Sequence, residues 1–364
     1  MSDHPWQEHL KTSVRNAPPR GRTSVAGHAH RLQWNENPFD FPEDLKEEVL
    51  RRFSTVAWSR YPTELRPEAL LAAIAAHNSV DRTMVAVGAG SSAMINAALD
   101  VVITPGDHMV IPSPTFLLYR GAAMLRGAEL HQIPTRAADD FALPVDDLIV
   151  CARTNEAKLI ALCAPNNPTG TVYALDDLRS LADESAALLL IDEAYGEFCG
   201  QDLRPLLSEF ENVIILRTFS KAYALAGQRI GYALGHPEVI AAIDRVNIPF
   251  PVSTFSATAA MVALENSERF LANTAAIVTE RERLSEALGR LPGLHVFPSG
   301  ANFLLVQFDR SPHTIMETLR DERDLLISDM AGYPELTNCL RISIGTPEEN
   351  AWVVDAVTAF SLSH

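Results

Sequence analysis

Three uninterrupted apolar runs constrain this chain more than any other feature. Leu159-Ile-Ala-Leu-Cys163, Ala187-Leu-Leu-Leu-Ile191 and Val213-Ile-Ile-Leu216 each read as a short strand with no polar face. Segments of helical length separate them. Strands buried on both faces and alternating with helices form a parallel sheet between helical layers. Each run stops at polar or turn-forming residues. The first is closed by Ala164-Pro-Asn-Asn-Pro-Thr-Gly170 and the second by Asp192-Glu-Ala-Tyr195. The third turns polar at Thr218, Ser220 and Lys221. In open sheets of this kind ligands lie beyond the carboxyl ends of the strands. Asn167, then Asp192 and Tyr195, then Ser220 and Lys221 therefore converge on one crevice.

Lys221 is the sharpest of these. The bland reading of a lysine is a solvated surface charge. Of thirty basic residues, however, only Lys11, Lys46, Lys158 and Lys221 are lysines, and the rest are arginines. A chain that uses arginine almost everywhere has kept lysine at a strand end. Arginine stays protonated and forms no imine. Apolar surroundings lower a lysine's pKa and free the neutral amine as a nucleophile.

The rest of the chain arranges itself around that sheet. Residues 1–33 read as an irregular arm, Asn35-Glu-Asn-Pro38 as a turn, and Leu45 to about Phe53 as a helix. Glu68 to Ala76 has helical spacing. Met84-Val-Ala-Val-Gly88 is a strand, and Gly90-Ser91-Ser92 opens a helix that runs to Val102. A Gly/Ser turn at a helix start is a natural phosphate seat, although Ser91 or Ser92 could be an ordinary cap. Gly88, Gly90 and Ala93 imitate a dinucleotide fingerprint. The next strand, Met109-Val-Ile111, ends in Pro112-Ser113 rather than in a ribose-binding acid. Phe116 opens a further helix, as plain core or as a ring to stack on a flat cofactor. Beyond Phe255 the texture changes. A helical pattern runs from Ala257 to about Leu291, Phe303–Phe308 and Cys339–Ile344 alternate as strands, and Pro347–Phe360 reads as a closing helix. The division expected is an arm over 1–44, a large domain over 45–255 and a smaller α+β domain over 256–364.

Composition narrows the partners. The formal net charge of −16 argues against nucleic acid or an anionic membrane surface as the main partner. No apolar run approaches the ~18–20 residues of a membrane span. The four cysteines, Cys151, Cys163, Cys199 and Cys339, show no CxxC spacing and fit a reducing cytoplasm, so no zinc site is expected. His28 and His30 lie in a Gly/Ala/Arg loop without a nearby carboxylate or thiol in sequence, and are expected to be solvated.

The crevice residues make one consistent chemical set. A lysine can hold an aldehyde as an imine. Asp192, at the end of an apolar run, is a buried carboxylate in need of a cation, which a pyridinium nitrogen supplies. Asn167 and Tyr195 can bond a phenolate oxygen. Ser220, Arg229 and the amides after Gly90 can hold a phosphate. These are the demands of pyridoxal 5′-phosphate.

At these residues the chain resembles fold-type I pyridoxal-phosphate-dependent aminotransferases of classes I and II. The motifs are Ala164-Pro-Asn-Asn-Pro-Thr-Gly170, Ile191-Asp-Glu-Ala-Tyr195 and Ser220-Lys-Ala-x-x-Leu-Ala-Gly-x-Arg229. Asn35-Glu-Asn-Pro38, Arg60-Tyr61-Pro62 and Leu340-Arg-Ile-Ser-Ile-Gly-Thr346 are similar to the histidinol-phosphate aminotransferase branch. The resemblance covers the chain from about residue 32 onward. It implies an α/β fold of type I, with a mainly parallel sheet between helices and a smaller C-terminal α+β domain. It implies that Lys221 forms the internal aldimine and moves the proton, that Asp192 pairs with the ring nitrogen, and that Tyr195 and Asn167 bond the 3′-oxygen. Phe116 would stack on the ring. Ser220, Arg229 and the Gly90, Ser91 and Ser92 turn would hold the phosphate. Arg341 would bind the substrate's anionic group. Tyr61 would reach the cofactor phosphate and substrate of the partner in a homodimer. The reaction implied is ping-pong transamination between histidinol phosphate and 2-oxoglutarate in cytoplasmic histidine biosynthesis.

The chain departs from the family at four places. Ser91-Ser92 stands where Asp-Glu is usual, and Phe116 where Tyr is frequent. Ser328 stands in a region that often carries a second arginine. No tyrosine precedes Tyr61. The last two bear on the substrate phosphate, for which Arg22 or Arg31 are candidate substitutes. An aminotransferase for aromatic or other amino acids, an amino-acid phosphate decarboxylase, a non-catalytic cofactor-binding regulator and a nicotinamide dehydrogenase are the alternatives.

Overall fold

A computed structural model describes Trp6, residues 9–16 and residues 27–363. Seven strands form its central sheet: β1 Val85–Gly88, β2 His108–Ser113, β3 Glu129–Pro134, β4 Leu159–Cys163, β5 Leu188–Asp192, β6 Val213–Thr218 and β7 Gly231–Gly235. Their spatial order is β1-β7-β6-β5-β4-β2-β3. The run from β3 through β2, β4 and β5 to β6 is parallel throughout, and β7 alone runs antiparallel to its neighbours. Successive side chains in a strand point to opposite faces. Thus Leu159, Ala161 and Cys163 pack with the helices Ser91–Val102, Leu117–Arg126 and Pro237–Val246. Ile160 and Leu162 pack into the core on the other face. The apolar runs are continuous because both faces are covered.

Two strands have no clear sequence signature. Glu129–Pro134 is an edge strand that exposes Glu129 and Pro134, so its pattern is too mixed to show. Gly231–Gly235 follows the Lys221 loop so closely that the two read as one stretch. Its first residue has a steric job. A Cβ on Gly231 would stand 2.2 Å from Ser91 N and 2.5 Å from Gly90 C. Only glycine lets the β7 backbone approach the turn that opens the helix Ser91–Val102.

The C-terminal part carries a second, antiparallel sheet of β8 Leu294–Val296, β9 Phe303–Phe308, β10 Ser328–Asp329 and β11 Cys339–Ser343, in the order β10-β11-β9-β8. Helices His313–Arg323 and Pro347–Ser361 pack beside each other. Arg341 lies in the middle of β11, opposite Leu305 on one side and Ser328 on the other. The long helical pattern after Phe255 is two helices, Thr254–Glu265 and Ser267–Gly289. Asn266 breaks it by turning its amide onto the Val262 carbonyl at 2.8 Å.

The described residues of the amino-terminal arm include regular elements. Thr12–Asn16 is a short helix, and His30–Arg31 pairs in parallel with Leu325–Leu326. Arg22 lies outside the described residues. The expectation of solvated histidines is corrected. His28 Nδ1 is 2.7 Å from Asp324 and His30 Nδ1 is 2.7 Å from Glu349. Both carboxylates come from about 300 residues away, which no local spacing reveals. Among the described residues, no helix is long and apolar enough to cross a membrane. No cluster of three or more His, Cys, Asp or Glu among them could hold a metal ion.

Gly231→Ala is expected to destabilise the protein by about 1–3 kcal/mol, because the clash is with backbone and not with a side chain that can turn away. Thermal denaturation of the variant measures it.

Candidate active site

One cavity of about 460 Å³ opens at the carboxyl ends of β4, β5 and β6. The register explains the convergence. Cys163 lies opposite Asp192, and Asp192 opposite Leu216, so the strands end at one level. Ser91, Ser92, Phe116, Asn167, Asp192, Tyr195, Ser220, Lys221, Arg229 and Arg341 all line this cavity. Gly90 touches it through Arg229. Its φ is +85°, and a Cβ there would meet the Arg229 guanidinium at 2.5 Å.

Lys221 is half-buried, and its amine donates to the main-chain oxygens of Trp34 and Asn35 at 2.8 and 2.9 Å. Burial, reinforced by the Arg341 and Arg229 charges, pulls its pKa down to about 7, against the opposing pull of Glu36 and Asp192. Asp192 is 3% exposed, and Ala194 N–H donates to its carboxylate at 3.1 Å. No salt bridge to it forms among the described residues. Burial pushes its pKa up to about 6, opposed chiefly by the Ala194 amide. The cavity floor is therefore a carboxylate without a cation.

The wall is a cation without a carboxylate. Arg341 Nη1 donates to Asn167 Oδ1 at 2.6 Å and Nη2 to Gln33 O at 2.6 Å, while its buried Nε has no partner. Burial lowers its pKa. Tyr195 accepts a bond from the Asn35 amide at 2.9 Å and stands edge-on to Phe303. Burial raises its phenol. At the far end, Arg229 Nη1 reaches Ser220 Oγ at 3.4 Å, and Thr218 donates to the same oxygen at 3.0 Å. The helix Ser91–Val102 begins there at Gly90 with no side-chain cap. Uncapped amides beside a guanidinium and a hydroxyl are an anion seat.

These residues fit a flat aldehyde bearing a basic ring nitrogen, an acidic oxygen and a phosphate. The amine, the buried carboxylate, the phenol and amide, and the anion seat match its four polar groups.

Tyr61 is not part of this cavity. It is 81% exposed and stacks on Phe250 at 4.9 Å. Arg31 is also elsewhere, paired with Glu36 at 3.4 Å in an adjoining space. The cavity adds three residues that had no expected site role, Trp34, Asn35 and Glu36. Asn35-Glu-Asn-Pro38 reads in sequence as a turn and as a family motif rather than as a wall, and Trp34 carries no local signal.

The fold and the lysine-centred cavity define a fold-type I scaffold of the kind that carries pyridoxal 5′-phosphate. The family model for aminotransferase class I and II matches residues 29–357. A histidinol-phosphate aminotransferase of Chlorobium phaeovibrioides is 37% identical over 92% of this chain and 91% of its own length. One of Desulfitobacterium hafniense is 32% identical over 96% and 97%. The crystal structure of histidinol-phosphate aminotransferase from Sinorhizobium meliloti, in complex with pyridoxal 5′-phosphate, superposes with a TM-score of 0.85 at 25% identity over 96% of each chain. The chain belongs to the pyridoxal-phosphate-dependent class I and II aminotransferases, in their histidinol-phosphate aminotransferase-like branch.

The buried floor makes a stability prediction. A carboxyl whose folded pKa is raised stabilises the fold below its unfolded value near 3.8 and loses that contribution as pH rises through about 6. Asp192→Asn in the cofactor-free protein is therefore expected to gain on the order of 3 kcal/mol relative to the parent at pH 8 and none from this source at pH 3.5. Denaturant titrations of both proteins at the two pH values measure the difference.

Proposed function

We propose that this protein transfers the amino group of histidinol phosphate to 2-oxoglutarate, as a homodimeric enzyme of histidine biosynthesis. The observation that carries the reading is the pair of unmatched charges in one cavity, Asp192 at the floor and Arg341 at the wall, with the Lys221 amine sharing the space. The name borne by relatives up to 37% identical over nine-tenths of the chain supports the donor.

Bound pyridoxal 5′-phosphate supplies an electron-withdrawing ring that stabilises negative charge at the donor's Cα. The protein supplies the rest. Lys221 Nζ, poised near neutrality, carries the proton that leaves Cα and returns it on the other side of the exchange. The Asp192 carboxylate holds a proton on the ring nitrogen. Tyr195 and Asn167 would hold the cofactor's ring oxygen, and Phe116 would pack against its ring. Ser220, Arg229 and the amides of Ser91 and Ser92 anchor the phosphate. Arg341 binds the anionic end of each reactant in turn, which is why one site serves both halves of a ping-pong cycle. Trp34, 42% exposed at the cavity, narrows the opening.

The homodimer rests on the surface that carries Tyr61. Trp58, Tyr61, Leu65 and Ile248 are all exposed there, and the loops that bear them meet through the Tyr61–Phe250 stack and the Phe250 N–H to Leu65 carbonyl bond. In this reading the partner subunit's Tyr61 would supply a group to the phosphate end of the cavity.

One observation favours a second donor class. Ser328 is the residue opposite Arg341, and its hydroxyl is spent on Gln33 O at 2.9 Å. A single guanidinium with both Nη groups engaged suits a carboxylate as well as a phosphate, so aromatic amino acids are the rival donors.

Initial rates with histidinol phosphate, glutamate, phenylalanine and phosphothreonine, scored for oxo product and for carbon dioxide, separate the readings. The highest kcat/KM is expected for histidinol phosphate. A preference for phenylalanine selects the second reading, and carbon dioxide release would make the protein a decarboxylase. Lys221→Ala is expected to lower kcat by at least about 10²–10⁴, and borohydride should fix the cofactor to the Lys221 peptide of the parent alone. Capture of the aldehyde by the cofactor-free protein should accelerate as pH rises through about 7, where the amine loses its proton. Stopped-flow absorbance follows it.

A further inference from the structure

The Asp192 carboxylate has a neighbour that the scheme above leaves idle. Tyr119 lies in the first turn of the helix Leu117–Arg126 and is 0% exposed. The helix drops its ring through the helical layer onto the ends of β4 and β5. Its hydroxyl is 3.4 Å from Leu162 O, at the outer limit of a hydrogen bond between oxygens, and 3.5 Å from Cys163 Sγ, an ordinary distance to sulfur. Cys163 stands opposite Asp192 in register, so the hydroxyl lies beside the carboxylate as well. A buried tyrosine hydroxyl takes a partner, and a charged acceptor gives the strongest bond. Asp192 in turn has one main-chain donor, Ala194 N–H, and no ion pair among the described residues.

We propose that Tyr119 is a positioning residue whose hydroxyl donates to the Asp192 carboxylate and so sets how firmly that carboxylate keeps a proton on the cofactor's ring nitrogen. The inference rests on the assignment of Asp192 to that nitrogen made above. The physics is a balance of basicity. A buried carboxylate that loses a donor becomes more basic and draws the shared proton toward itself. The ring nitrogen is then less protonated and stabilises charge at Cα less well. Burial, with the adjoining thiol and carboxylate, pushes the Tyr119 phenol well above its ordinary value, so it keeps its proton to donate. The same hydroxyl pulls Asp192 down against the effect of burial. The bland alternative is that Tyr119 only fills the core, edge-on to Phe116 at 6.2 Å.

The test uses the holoenzyme loaded with pyridoxal phosphate labelled with ¹⁵N in the ring. In Tyr119→Phe the ¹⁵N resonance is expected to move toward the unprotonated position, with kcat down about tenfold, the equivalent of one pKa unit, and KM within about twofold. In an Asp192→Asn background the same change should move neither resonance nor kcat further. If Asp192→Asn shifts the resonance and Tyr119→Phe leaves it in place, the role given to Tyr119 is wrong and the cofactor assignment stands. If Asp192→Asn itself leaves it in place, the assignment of Asp192 falls, and this inference with it. A second readout needs neither truncation nor cofactor. With 3-fluorotyrosine at position 119 of the cofactor-free protein, the ¹⁹F resonance should titrate with the Asp192 carboxyl near pH 6 and lose that step in Asp192→Asn. A ¹⁹F profile the same with and without Asp192 overturns the proposal.

Discussion

A carboxylate buried without a cation is the constraint on which this cavity depends. Asp192 and Glu193 are adjacent, both buried, and on opposite faces of the sheet. Glu193 meets Arg217 at 2.6 Å, and Arg217 continues to Asn78 at 2.8 Å. Its charge is answered by the protein itself. Among the described residues Asp192 receives no such answer on its own face, where its hydrogen-bond donor is the Ala194 amide. A buried charge left unpaired costs several kcal/mol, so its presence at the carboxyl end of a core strand marks a place for an external cation. The alternation of a β-strand turns two neighbouring acids into one structural pair and one binding group.

The same logic governs Lys221 and Arg341. Each is drawn toward its less charged form by burial, and each makes its hydrogen bonds to neutral oxygens: Trp34 and Asn35 for the lysine, Asn167 and Gln33 for the arginine. Carbonyl and amide oxygens hold a cation in place without neutralising it. The cavity keeps its charge available because its internal partners are dipoles.

Much of this was legible in the chain. The three apolar runs show the parallel core because strands covered on both faces carry no polar alternation. The floor residues are legible because they follow those runs directly. Tyr195, Ser220 and Lys221 need only the rule that strand ends face ligands. What the sequence hides is contact at a distance. Asn35-Glu-Asn-Pro38 looks like a turn, and nothing local says that Trp34 and Asn35 close over Lys221. His28 and His30 look solvated until Asp324 and Glu349 arrive beside them. The edge strand Glu129–Pro134 is half solvated and follows no period. Asn266 splits the long helical pattern through a side chain that bonds back to its own helix, a feature that apolar periodicity does not register.

The wall beside Lys221 joins segments far apart in the chain. Asn35 donates its main-chain N–H to the Ser343 hydroxyl and accepts that hydroxyl's proton on its side-chain oxygen, across 308 positions. Such distant pairs form late, because a very long loop must close first. During synthesis the segment around residue 35 leaves the ribosome long before residue 343 exists. The central sheet ends at Gly235, well before the residue that fixes this wall. The wall that closes over Lys221 is therefore complete only once residue 343 has been made.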